Sequence, residues 1–246
     1  MITAFLSAKG GTGLTTALAN IAAATASELN RKVLIVDLNV GRGAVEYPFG
    51  VETQAVWNIV DVFEAACKIG DALLKVPEYG ELYILSASRS RSLSQVTKQM
   101  LARLLKMLSG PFDDIFIDVP AASLSAADLA LHSADRLVLL STSDKLAVTL
   151  GKNFLDEIPE EMRNMPLILN RVRLDLVKEG LSQAPEETAE SLGLKVLGII
   201  PENEDIFLQL ETHEDLVHLK TPACRSFTNI ARRLQGENVP VDLRKA

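Results

Sequence analysis

From residue 7 to residue 16 the chain reads Ser7-Ala8-Lys9-Gly10-Gly11-Thr12-Gly13-Leu14-Thr15-Thr16. Three glycines in that spacing let the backbone turn several N–H groups toward one anion. The run of helix formers that follows adds the positive end of a helix dipole. An apolar run, Ile2 to Leu6, leads into the loop. Strand, glycine-rich loop and helix together make a phosphate cradle. The hydroxyls of Thr15 and Thr16 stand where the magnesium and α-phosphate of a bound nucleotide need them. The usual pattern is G-x-x-x-x-G-K-[ST]. Here Ala8 replaces the first glycine and Leu14 replaces the lysine.

The elements that must hold this loop are legible as alternating patterns. Continuous apolar runs occur at Ile2–Leu6, Val33–Val36, Leu82–Leu85, Ile115–Ile117, Leu137–Leu140, Leu167–Leu169 and Val196–Ile200. Continuity without polar alternation is what a strand covered on both faces requires. Helical patterns fall between them, at Thr16–Leu29, Val56–Ala66, Ser92–Leu108, Ala122–His132, Leu146–Glu157, Pro185–Leu192 and Cys224–Leu234. The expected fold is therefore α/β, a mostly parallel central sheet with helices on both faces. One domain over residues 1–246 is expected, with a polar, fraying tail from about residue 237. The irregular stretch Val40–Thr53 has the composition of a loop beside a ligand.

In an open parallel sheet, ligands bind beyond the carboxyl ends of the strands. The residues leaving those ends are Asp37 and Asn39, Asp118, Asn170 and Arg171, and Pro201 and Glu202. Magnesium takes few protein ligands and leans on phosphates and water. Thr15 supplies a hydroxyl, and Asp118 is the aspartate expected to hold a magnesium-bound water. Each residue has a plainer use: Asp118 as a helix cap, Asn170 in a turn, Asp37 in fixing the next loop.

Composition narrows the setting. A formal net charge of -7 disfavours a protein that lives on nucleic acid by counterion release. Arg225, Arg232, Arg233, Arg244 and Lys245 leave a DNA-partitioning role as an alternative, against a solvated helix end. Cys67 and Cys224 lie far apart and are read as small buried hydrophobes. No run approaches a membrane span, and no basic n-region precedes the first apolar run, so a cytoplasmic setting is expected. Ser88-Arg89-Ser90-Arg91 is read as a solvated loop, Trp57 as packing a helix on the sheet, and the three histidines as too dispersed for a metal.

Lys9-Gly10-Gly11-Thr12-Gly13-x-Thr15-Thr16 resembles the deviant Walker A loop of the MinD/ParA superfamily of P-loop ATPases, K-G-G-x-G-K-[ST]-[ST]. Val36-Asp37-Leu38-Asn39 resembles its V-D-x-D segment, and Ile117-Asp118-Val119-Pro120 its Walker B. Asn170-Arg171 resembles the N-R that reads adenine, and Gly198-Ile199-Ile200-Pro201-Glu202 the G-x-I-P-E/D that closes over the base. The resemblance implies ATP or ADP with Mg2+, bound by Lys9, Gly10, Gly11, Thr12, Gly13, Leu14, Thr15, Thr16, Asn170, Arg171, Pro201 and Glu202. It also implies a homodimer through the nucleotide face, in which Lys9 reaches the partner's nucleotide. Lys9, Asp37 and Asn39 then occupy the catalytic positions, and Thr15 and Asp118 the metal positions.

Three departures stand out. Leu14 replaces the lysine that would contact the β- and γ-phosphates, Ala8 a loop glycine, and Asn39 the second aspartate of V-D-x-D. Asparagine still hydrogen-bonds but accepts no proton and brings no charge. Ala-Lys-Gly-Gly-x-Gly without a following lysine is similar to the TadZ/CpaE branch, which helps localise pilus assembly. The implied function is a nucleotide-gated dimer that positions a pilus or secretion machine, at a pole or peripheral to a membrane complex, with weak ATPase activity or none. A non-hydrolysing scaffold of the same fold is the rival.

Overall fold

The computed structural model describes residues 1–41, 44–94, 96–121, 123–219 and 221–241. Arg244 and Lys245, with the last half of the expected tail, and part of the Val40–Thr53 loop therefore lie outside the described residues. The strands are β1 (Ile2–Leu6), β2 (Val33–Asp37), β3 (Leu73–Val76), β4 (Leu82–Leu85), β5 (Asp114–Asp118), β6 (Arg136–Ser141), β7 (Leu167–Val172) and β8 (Val196–Pro201). They form one eight-stranded sheet in the order β3-β4-β2-β5-β1-β6-β7-β8. All pairs are parallel except β3 with β4. The expected α/β fold is the one found.

The two faces explain the continuous apolar runs. Alternate side chains of one strand enter different cores: Leu34 and Val36 one, Val33 and Ile35 the other. The helices α1 (Leu14–Glu28) and α10 (Pro222–Leu234) cover the second face and pack on one another. The first face is covered by α4 (Lys98–Leu108), α5 (Leu124–Leu131), α6 (Lys145–Glu157) and α8 (Pro185–Leu192). Gly198 lets α10 approach β8, because a Cβ there would lie 2.3 Å from Ile230 Cγ1. Its place in the family-like segment thus has a packing reason.

Several boundaries differ from the sequence expectation. The helix expected over Ser92–Leu108 begins only at Lys98, where the Thr97 hydroxyl accepts the Met100 N–H at 3.2 Å. The one expected over Val56–Ala66 shrinks to α2 (Ile59–Phe63), started by a capping box of Asn58 and Asp61. Trp57 precedes that helix, is 37% exposed, and does not pack it on the sheet. Short α3 (Ile69–Ala72), edge strand β3, α7 (Leu174–Lys178) and α9 (Glu204–Thr212) carry no strong periodic signal and were not expected. Cys224 is buried as expected; Cys67 is only half-buried. No helix among the described residues is long and apolar enough to cross a membrane.

Candidate nucleotide-binding site

The loop between β1 and α1 is shaped by its glycines and by two distant side chains. Gly11 and Gly13 have φ of 77° and 82°, a region that side chains with a Cβ disfavour. Gly13 has a second constraint: a Cβ there would lie 2.5 Å from Asn170 Nδ2. Asn170, buried on β7, donates that amide to Thr12 O at 2.7 Å. Ser7 Oγ donates to Lys9 O at 3.0 Å and also lies 3.0 Å from Thr12 Oγ1. Gly13 caps α1 with no side chain, so the first amides of the helix keep their donors for a ligand. They border a cleft of about 420 Å3, lined by residues 10–16, Asn39, Val40 and residues 118–121.

The carboxylates at the strand ends meet behind this cleft. Parallel pairing of β2 with β5 sets Asp37 opposite Asp118. Thr15 Oγ1 donates to Asp118 Oδ2 at 2.7 Å, and the Asn39 N–H donates to Asp37 Oδ1 at 2.7 Å. Asp118 Oδ1 and Asp37 Oδ2 are buried without a hydrogen-bond partner. Burial, aided by the Asp118 charge beside it, holds the Asp37 carboxyl well above the ordinary range. Burial likewise pushes Asp118 up to about 7, against the opposing bond from Thr15. Two orphaned oxygens with a hydroxyl nearby are hard-oxygen chemistry and fit a magnesium ion. Asp118 and Thr15 would hold it.

The departures occupy definite places. Leu14 is 7% exposed and joins the apolar cluster that contains Phe5 and Leu18. Ala8 packs against the opposite cluster. Lys9 Nζ lies 2.9 Å from Asp144 Oδ2 in the same chain. Asp144 caps α6 through the Ala147 N–H at 3.0 Å and accepts the Thr142 hydroxyl at 2.5 Å. Partial burial raises its pKa, but the Thr142 hydroxyl and the Lys9 ammonium outweigh that and hold Asp144 at about 2.

On the other side of the loop lies a cavity of about 250 Å3, walled by Asn170, Arg171, Pro201, Glu202, Ile206 and Phe207 among others. A register shift between β7 and β8 accompanies Arg171, which has φ of 57° and is exposed. Its guanidinium donates to both oxygens of Glu202, at 2.8 and 3.2 Å, and Nη1 approaches Gly11 O at 3.5 Å. The loop thus stands between two cavities: Gly10 to Thr16, Asn39 and Asp118 line one, and Asn170, Arg171, Pro201 and Glu202 the other, while Asp37 is buried beside Asp118 and Lys9 is turned to Asp144.

Asp144 and the α9 side chains Ile206 and Phe207 are not among the residues that the sequence pointed to. An aspartate three residues past a strand and just before a helix was the available signal for Asp144. The other tempting residues stay apart from the cleft. Arg91 pairs with Asp61 and Glu64, Arg232 with Glu237, and Arg233 with main-chain carbonyls. No cluster of three potential metal ligands from His, Cys, Asp and Glu occurs among the described residues.

The profile of the CobQ/CobB/MinD/ParA nucleotide binding domain (CbiA) matches residues 3–217. The chain belongs to this family. Septum site-determining protein MinD of Synechocystis sp. is 31% identical over 238 residues, covering 95% of this chain and 89% of that protein. Among solved structures, the MinC:MinD cell division protein complex of Aquifex aeolicus is 28% identical with a TM-score of 0.88, covering 98% of both chains. MinD of Pyrococcus horikoshii OT3 complexed with Mg-ADP is 25% identical with a TM-score of 0.81, covering 95% of both chains. MinD/ParA ATPases are thus this chain's relatives, and Mg2+ with a nucleotide belongs to the family.

Proposed function

We propose that this chain binds ATP with magnesium in the cleft, closes on a second copy through that face, and uses the closed state to position a cellular machine. Amides of the Gly10–Thr16 loop cradle the phosphates, Thr15 and Asp118 hold the metal, and Asn170, Arg171, Pro201 and Glu202 take the adenine. Magnesium, when bound, offsets phosphate charge. Lys9 must leave Asp144 before it reaches a partner's nucleotide, so Asp144 keeps the lysine in place until then.

The observation that carries the reading is the division within the loop. Its backbone cradle and Lys9 are kept, while position 14 is a leucine turned into the core and position 39 an asparagine. A charge-assisted contact to phosphate contributes about 1.5–3 kcal/mol, so losing one lysine weakens binding roughly ten- to a hundredfold. Backbone donors and metal ligands remain, so binding survives. Hydrolysis depends more steeply on charge placed at the transition state, and turnover is then slow or absent.

Pilus or secretion assembly is the machine favoured by Ala8-Lys9-Gly10-Gly11-x-Gly13 without a following lysine, the TadZ/CpaE-like feature. The names of the MinD relatives favour a second reading, division-site placement. A non-hydrolysing scaffold differs from both in needing nucleotide only as a structural ligand. DNA partitioning is the weakest, because Arg232 and Arg233 are spent within the chain.

Phosphate release and light scattering with and without ATP test the proposal. The expected result is an ATP-dependent dimer with turnover near background, raised in Leu14→Lys. Wild-type turnover well above background, abolished in Lys9→Ala, would overturn the slow-hydrolysis claim. A monomer at saturating ATP would overturn the gating claim.

A further inference from the structure

A second polar pocket opens between the end of β4 and the segment following β2. Its volume is about 210 Å3, and its walls include Glu46, Glu52, Trp57, Ser86 and Arg89. Three acceptor atoms there, Glu46 Oε2, Glu52 Oε2 and Ser86 Oγ, are buried with no hydrogen-bond partner. Glu46 and Ser86 are each only 2% exposed. A buried carboxylate oxygen without a donor is unfavourable enough to demand a cause.

Among the described residues the nearby cations do not supply one. Arg89, the cationic side chain among the wall residues, donates to the main-chain oxygen of Glu52 at 3.4 Å. Arg91 is committed to Asp61 and Glu64. Among the described residues nothing fills this gap, and a group from outside that carries positive charge and several donors would fill it. Too few ligands stand together for a metal among the described residues. A guanidinium is planar, permanently charged and presents five N–H donors in a fixed fork. Trp57, at 37% exposed, forms an aromatic wall on which such a group stacks, and Val56 beside it is 79% exposed. Buried acceptors below an exposed aromatic and apolar rim are the surroundings in which arginine anchors an interface.

We propose that this pocket receives an arginine side chain of a partner protein, with Glu46 and Glu52 accepting its fork, Ser86 a further N–H, and Trp57 covering its face. The inference goes beyond the nucleotide reading and does not depend on it.

Trp57 is the chain's single tryptophan, so its fluorescence reports on this pocket directly. The probe is N-acetyl-arginine amide, titrated into nucleotide-free protein against N-acetyl-citrulline amide, its neutral counterpart. The expected result is a saturable change with the arginine amide and none with the citrulline amide. Glu52→Gln, at a position only half-buried, should weaken the response by about tenfold or more, the usual worth of a charged acceptor. Glu46→Gln should do the same, with circular dichroism confirming that it is folded. A flat response, an equal response to the citrulline amide, or an unchanged affinity in folded Glu52→Gln each overturns the proposal. So does a saturable response to calcium chloride in place of the arginine amide. Binding of the arginine amide by protein that fails to bind ATP leaves this proposal standing and sinks only the nucleotide reading.

Discussion

On the β7–β8 side of the cleft the polar groups that line it are partnered within the chain, whereas on the β2–β5 side two carboxylate oxygens are not. Asn170 is bonded to Thr12 and Arg171 to Glu202, so that wall stands complete without a ligand. Asp37 and Asp118 face one another with an orphaned oxygen each, so, among the described residues, that wall lacks a partner within the chain. One side is preformed for shape, the other held in an electrostatic state that a ligand relieves. The Thr12–Gly13 backbone lies between the two sides, and Asn170 touches it directly.

That backbone link is where the comparison breaks most sharply. Gly13→Ala meets Asn170 Nδ2 at 2.5 Å and a φ of 82°. We expect a loss of about 2–3 kcal/mol in denaturant unfolding, together with loss of ATP binding in calorimetry. Gly10→Ala is the control, since a methyl group at that position would meet nothing within 4 Å. It should stay within about 0.5 kcal/mol of wild type. Equal losses from both would show that Asn170 does not brace the loop.

Asp118→Asn sharpens the other side by separating stability from binding. Removing one of two facing carboxylates relieves repulsion, so the nucleotide-free protein should gain about 1 kcal/mol in unfolding. Its magnesium-dependent ATP affinity should fall by about ten- to a hundredfold. A variant destabilised without nucleotide would mean that the pair is not strained.

The pH dependence follows from the same pair. Asp118 titrates near 7 in the folded chain, against an ordinary 3.8, so the native state holds a proton that the unfolded chain releases earlier. Stability contributed by that proton is present at low pH and is lost as pH rises from about 4 to about 7. The thermal midpoint of the free protein should therefore decline over that window by more than in Asp118→Asn. Magnesium nucleotide should flatten the decline, because it favours the ionised carboxylates.

The smallest effect belongs to the completed wall. Arg171 and Glu202 are both exposed, and solvent screening leaves such a pair about 1 kcal/mol or less. Arg171→Ala should scarcely move the unfolding midpoint while lowering ATP affinity a few-fold. A large stability loss would mean that the β7–β8 side is under strain as well.

Much of this arrangement was readable in advance. The apolar runs at Ile2, Val33, Ile115 and Leu167 become central strands because both their faces are covered, and the polar residues at their ends come to flank the glycine loop. Edge strand β3 was not readable: four residues, Leu73–Val76, carry no pattern of their own until β4 lies beside them. The start of α4 was misplaced because the apolar Leu93 and Val96 continue a helical spacing that Thr97 interrupts with its cap. Trp57 looked like a core residue by type alone, and its exposure depends on the Asn58 cap that directs the chain into α2. Asp144 was overlooked because nothing local ties it to a lysine 135 residues away.

By itself the sequence determined the cradle: the order of strand, glycines and helix, the hydroxyl at Thr15, the carboxylates at the strand ends and the lost lysine at 14. These are local facts, settled by backbone freedom, hydrophobic continuity and side-chain chemistry within a few residues. Tertiary structure alone decided that Leu14 turns into the core, that Lys9 is held by Asp144, and that Asp37 and Asp118 share one buried space. Those outcomes depend on burial and on charges brought together from distant strands, and the energy of a charge depends on its neighbours in space, not on those along the chain.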